Sequence, residues 1–113
     1  MTSSQEPLEV DVATVHQWLD GRADVALVDC REPAEAEIAS IPGAVLMPMS
    51  QWAEAVTGLQ SLAGRHVVVH CHHGGRSLRV AQWLRANGFP DAQSMAGGID
   101  AWSLEIDPTT PRY

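Results

Sequence analysis

His66-Val67-Val68-Val69-His70-Cys71-His72-His73-Gly74-Gly75-Arg76-Ser77 holds a strand, a loop and the first turn of a helix in one run. The apolar Val67 to Val69 reads as a short buried strand, and Leu78 to Leu84 reads as a helix. Cys71 stands where the strand hands over to the helix, and four residues, two of them glycine, separate it from Arg76. The first turn of a helix has N–H groups without intrahelical partners and a partial positive charge, so a loop wrapped there attracts anions. Gly74 and Gly75 permit positive φ and inward-turned amides. A thiolate in that cradle, with Arg76 curled back beside it, is expected to titrate well below the ordinary thiol value of about 8.5, toward roughly 3.5–7.5.

Outward from this run, the chain alternates between strand and helix patterns. Leu8-Glu9-Val10 reads as a short edge strand. Asp11 caps a helix from Val12 to Leu19 that presents Val12, Val15, Trp18 and Leu19 on one face and ends at Gly21. Val25 to Val28 is apolar throughout, as in a strand buried on both faces, with Asp29 at its C-terminal end. Glu32-Pro33 opens a short helix whose Glu35 and Glu37 form an acidic, solvated side. A turn at Ile41-Pro42-Gly43 leads to a strand over Ala44 to Met47. Ser50 then caps a helix from Gln51 to about Leu59, with Trp52, Ala55 and Val56 inward. After the central strand, a helix over Ser77 to Ala86 stops at Asn87-Gly88, and a weaker strand near Ala92 to Met95 precedes a last helix near Ile99 to Leu104. This order predicts an α/β fold: an open parallel sheet of about five strands with helices on both faces. Ligands bind such sheets beyond the carboxyl ends of strands, and Cys71 lies at such an end.

The 113 residues fit one domain, read as a loose tail over 1–7 and a single unit over 8–113 with an extension from about 105. Neither a secretory leader nor an apolar run of membrane-spanning length is apparent. With only Cys30 and Cys71, a disulfide scaffold is not expected, which points to a reducing, cytoplasmic compartment. Net charge is −7 and lysine is absent, yet Ala55 to Pro90 holds no acid and carries Arg65, Arg76, Arg79 and Arg85, a local +4. That asymmetry suggests a field focused on a small anion, whereas a nucleic-acid partner needs a broader basic surface.

Four segments together resemble the rhodanese family, the sulfurtransferases whose catalytic cysteine carries a persulfide. They are Val28-Asp29-Cys30-Arg31-Glu32, Ile41-Pro42-Gly43-Ala44, the loop Cys71 to Ser77, and Gly97-Gly98-Ile99-Asp100-Ala101-Trp102. The likeness runs from about Leu8 to Trp102. The ending, Asp107-Pro108 through Pro111-Arg112-Tyr113, also looks like rhodanese domains fused behind adenylating enzymes that activate sulfur carriers. The resemblance implies that Cys71 accepts a sulfane sulfur, stores it as a persulfide and releases it to a second nucleophile. It places Arg76, His72, His73, Gly74, Gly75 and Ser77 around the substrate, and Asp29 and Arg31 as braces beside the loop. Thiosulfate is the simplest donor, and cyanide or a thiol the acceptor. A relay from a desulfurase to a sulfur-carrier protein or thioredoxin is the alternative, and a binding module without turnover is a further one.

Loop length separates sulfur from phosphate chemistry. The related cell-cycle phosphatases have one more residue between cysteine and arginine. Each residue adds at most about 3.5 Å of chain, so one fewer shrinks a closed loop's radius by on the order of half an ångström. The smaller ring suits a persulfide sulfur better than a phosphoryl group. No metal or organic cofactor is expected, because consecutive residues leaving a strand diverge and at most two of His70, Cys71, His72 and His73 converge. His72 and His73 are placed on the pocket rim, and Cys30 is read as a packed small side chain rather than a resolving thiol. Trp18, Trp52, Trp83 and Trp102 are assigned to packing, and Ser40 replaces the histidine common before Ile41-Pro42-Gly43 in the family.

Overall fold

Val25, Leu27 and Val68 pack to one side of a sheet with Val12, Val15, Ile99 and Trp102, while Ala26, Val28, Val67 and Val69 pack to the other with Val80 and Leu84. Both faces of the strands are therefore covered, the arrangement that near-continuous apolar runs require. The computed structural model describes residues 7–51 and 59–113. Its elements are β1 (Glu9–Val10), α1 (Val12–Gly21), β2 (Val25–Asp29), α2 (Pro33–Ile38), β3 (Val45–Leu46), β4 (His66–His70), α3 (Gly75–Ala86), β5 (Gln93–Met95) and α4 (Gly98–Glu105). All five strands are parallel, in the order β1-β5-β4-β2-β3.

Most boundaries fall within a residue or two of the sequence expectation, and the differences have local causes. Asp11 caps α1 by accepting the Thr14 N–H at 2.9 Å. Helix α3 begins at Gly75 rather than Ser77 because Gly74 takes the N-cap position at φ 113°. Strand β3 is reduced to an exposed edge of two residues. Ser50 sits in a 3-10 turn over Met49–Gln51 and its hydroxyl donates to Glu32 Oε1 at 2.6 Å. The expected helix with Trp52, Ala55 and Val56 inward lies outside the described residues. Trp102 is buried, Trp18 partly so, and Trp83, expected to pack, is 42% exposed. Among the described residues no helix is long and apolar enough to cross a membrane.

The topology fixes where a ligand can sit. Strands β2 and β4 are neighbours paired in register from Val25↔His66 to Asp29↔His70, but the chain leaves β2 toward β3 and leaves β4 toward β5, on opposite sides. A crevice opens where adjacent strands send their connections apart. Here it is bounded by Asp29-Cys30-Arg31 on one side and His70-Cys71-His72 on the other.

Candidate active site: a thiolate cradle at the switch point

Cys71 is 1% exposed and its sulfur is the target of the loop that follows it. The Gly74 N–H donates to Sγ at 3.1 Å and the Ser77 N–H at 3.4 Å, with the Ser77 hydroxyl 3.4 Å from the same sulfur. Ser77 Oγ is itself fixed by the Gly74 carbonyl at 3.2 Å and by Ser94 Oγ at 2.7 Å. A hydrogen bond from the Cys30 thiol is the largest influence on Cys71; together with the Ser77 hydroxyl and the two amides it outweighs burial and lowers the Cys71 pKa to about 4. Cys30 is pushed upward by that same bond and by burial. Cys71 is the thiolate of the pair.

Only one of the two glycines needs to be glycine. Gly74 has φ 113°, a conformation that side-chain-bearing residues rarely adopt, whereas Gly75 is an ordinary first-turn residue with open space around its Cα. The loop is held from its far side by α4. Ile99 N–H donates to the Cys71 carbonyl at 2.9 Å and Asp100 N–H to the His72 carbonyl at 3.1 Å. This close approach requires Gly98, at φ +61°, where a Cβ would collide with the Cys71 and His72 carbonyl groups. In the sequence Gly97-Gly98 belongs to a separate family-like segment, and nothing local joins it to the cysteine loop.

Arg76 departs most from expectation. Its guanidinium grips Glu35 with both nitrogens, Nη1 to Oε1 at 2.7 Å and Nη2 to Oε2 at 2.9 Å. The pair holds Glu35 down at about 2 and raises Arg76. Glu35, taken as a solvated carboxylate, is instead a hub that also accepts the Tyr113 hydroxyl at 2.8 Å and the Glu32 N–H at 3.2 Å. The clue lay in Glu32-Pro33-Ala34-Glu35, whose spacing is that of a capping box with its acid turned back toward the loop. Nor do the other arginines of the acid-free stretch converge. Arg65 donates to the Ala23 and Val25 carbonyls before β4, and Arg85 to the Ala92 and Pro7 carbonyls at the end of α3. Charges clustered in sequence are spread over both ends of the sheet.

Asp29 and Arg31 are both buried. Arg31 Nε and Nη2 donate to the Asp29 carboxylate at 2.9 and 2.6 Å, Nη2 also to the Ala39 carbonyl at 2.7 Å, and Nη1 reaches the Glu35 carbonyl and the Tyr113 hydroxyl. His72 is sandwiched between His73 and Tyr113, each ring 3.9 Å away, with the tyrosine ring almost parallel to it at 6°. His73 is exposed, with Nε2 3.8 Å from Asp100. His72, His73 and Asp100 present ligand atoms within 4.8 Å of one another, so a residue distant in the chain joins the two histidines. Arg112 already occupies that carboxylate at 2.8 Å, and a cation there must displace a guanidinium. Burial lowers the pKa of His70, which lies under Asp29 and is kept neutral.

Comparison with known proteins places this geometry. The Rhodanese-like domain profile matches residues 11–105. The chain belongs to the rhodanese family. It is 37% identical over 118 residues to the rhodanese-like/PpiC domain-containing protein 12, chloroplastic, of Arabidopsis thaliana, covering 98% of this chain and 39% of that protein. It is 36% identical over 100 residues to a probable adenylyltransferase/sulfurtransferase MoeZ of Mycobacterium tuberculosis, covering 88% of this chain and 25% of that one. A sulfurtransferase of Allochromatium vinosum is 34% identical over 95 residues, with 84% and 87% covered. This rhodanese chain thus spans well under half of the first two relatives and most of the third. The human single domain sulfurtransferase TSTD1 superposes with a TM-score of 0.74 at 26% identity, covering 88% of this rhodanese and 97% of that structure.

Proposed function

We propose that this rhodanese moves sulfane sulfur through a persulfide on Cys71, with thiosulfate or a thiol persulfide as donor and cyanide or a thiol as acceptor. The observation that carries the reading is a buried sulfur receiving two backbone N–H groups, with its pKa lowered to about 4. Such a sulfur is a thiolate at neutral pH and needs no separate base. Attack on the outer sulfur of thiosulfate forms a Cys71 S–S bond, breaks the donor's S–S bond and expels sulfite with the bonding pair. An acceptor then attacks the outer sulfur, and the Cys71 thiolate leaves. First-turn amides of α3, such as those of Gly75 and Arg76, have no intrahelical carbonyl to bond and would serve the charge that develops on the outer sulfur. Neither step requires a metal or an organic cofactor.

The relay reading draws support from Arg76. A guanidinium saturated by Glu35 offers thiosulfate little of its charge, which favours a donor delivering its persulfide from a thiol or a partner protein. A desulfurase fits that role, with a sulfur-carrier protein or thioredoxin as acceptor, in a reducing compartment such as the cytoplasm. Steady-state thiocyanate formation tests the function directly. Activity from thiosulfate or from a glutathione-type persulfide, abolished in Cys71→Ser, is expected. Turnover that survives Cys71→Ser contradicts the mechanism.

A further inference from the structure

Cys30 enters the chemistry through its position. Strands β2 and β4 run in register to Asp29↔His70, so Cys30 and Cys71 are the next pair across the two strand ends. The Cys30 N–H donates to the His70 carbonyl at 3.1 Å, which keeps the strands at ladder distance through that pair. Neighbouring strands lie about 4.8 Å apart, within the roughly 4.4–6.8 Å that a disulfide spans between Cα atoms. Both side chains also fall on the same face. They pack in one cluster with Ala26, Val28, Val67 and Val69.

Burial then divides the two sulfurs of a persulfide. Cys71 is 1% exposed and Cys30 fully enclosed, so the outer sulfur, which extends from Sγ into the loop, is more open to an outside nucleophile than Sγ. The sole thiol of the chain beside that inner atom is Cys30. We propose that Cys30 is a resolving thiol that discharges the Cys71 persulfide when no acceptor takes its sulfur. This inference rests on the persulfide reading above. In the step the Cys30 sulfur attacks Cys71 Sγ, the Cys30–Cys71 disulfide forms, and the persulfide S–S bond breaks. The outer sulfur departs with the bonding pair as hydrosulfide, carrying the proton from Cys30. Electrons balance without an external oxidant, because the sulfane sulfur is the species reduced. A dithiol reductant resets the pair. The protein would then release hydrosulfide slowly when idle, in addition to transferring sulfur when an acceptor is present.

The test loads wild type and Cys30→Ser with thiosulfate or polysulfide, removes the excess, and follows intact mass and released sulfide. Wild type should lose the added sulfur to give a species two hydrogens lighter than the reduced protein, with one equivalent of sulfide. Cys30→Ser should keep its persulfide at least about tenfold longer, as expected when an intramolecular reactant is removed. Sulfur uptake followed by equal decay in both proteins, with no disulfide, overturns the proposal and leaves sulfur transfer standing. Failure to take up sulfur from either donor overturns both. Diamide on unloaded wild type checks the geometry independently of the variant's folding. A Cys30–Cys71 peptide is expected, and two thiols still free after denaturation and alkylation would contradict the pairing.

Discussion

With the Gly74 and Ser77 amides on its sulfur and the Arg76 guanidinium turned to Glu35, Cys71 depends on neutral donors for its charge. The Cys30 thiol leads these donors, and the hydroxyl and amides of the loop follow. A group whose pKa is lowered is ionised above the lowered value, so the thiolate persists as pH falls and disappears only through about 4. The ultraviolet absorbance of the thiolate should therefore stay flat from neutral pH downward and titrate near 4, and Cys30→Val should move that inflection upward. An inflection near the ordinary thiol value in wild type contradicts this account. Arg76 supplies a second prediction at this scale. Glu35→Gln removes the carboxylate that saturates it, and a partly exposed ion pair of this kind is worth at most about 1 kcal/mol. Thiosulfate KM should fall about 2- to 5-fold with kcat little changed. An unchanged KM would show that Arg76 does not meet the donor.

Among the elements, α3 and α4 together make the cradle, each opening on a left-handed glycine, Gly74 and Gly97. Their joint is Gly98, whose backbone lies against the Cys71 and His72 carbonyls. Gly98→Ala forces a side chain into positive φ, a cost of about 1–3 kcal/mol before any collision is counted. The loop must then shift off the α4 amides. Thiocyanate formation should drop at least tenfold, roughly what 1.4 kcal/mol of lost transition-state stabilisation produces, and an active, fully stable Gly98→Ala protein contradicts the packing described. The elements themselves were readable in the sequence. Apolar runs, the Asp11 cap and the glycine stops are local signals, and the strands of such a sheet bury both faces. The cysteine loop was readable for the same reason, since Cys71 to Ser77 is a contiguous segment. Contacts between segments distant in the chain were not legible. Glu35 with Arg76, Tyr113 on His72, Asp100 beside His73 and Cys30 against Cys71 join pieces whose meeting depends on strand order, which a single sequence does not encode locally.

Across the whole molecule, the buried Asp29–Arg31 pair ties together parts that share no backbone ladder. It sits at the end of β2 and reaches the Glu35 and Ala39 carbonyls around α2 and the hydroxyl of Tyr113, whose ring covers His72 beside the cysteine loop. Removing one member of a buried, hydrogen-bonded pair strands the other charge, at a cost of about 3–5 kcal/mol. Asp29→Ala should lower the denaturation midpoint by that equivalent in a denaturant titration, whereas a near-neutral effect would mean that Arg31 is balanced by carbonyls alone. The same brace explains why acidic and basic residues segregated along the chain do not give segregated faces. Arg31, Arg76 and Arg112 each meet a carboxylate around one end of the sheet, leaving Cys71 the buried anion among amides.

The most direct measurement is intact-mass spectrometry of the protein before thiosulfate or polysulfide, after it, and after cyanide. The account predicts the gain of one sulfur, mapped to the Cys71 peptide, its absence in Cys71→Ser, and its loss as thiocyanate when cyanide is added. No sulfur uptake from either donor, or sulfur mapped away from Cys71, contradicts it.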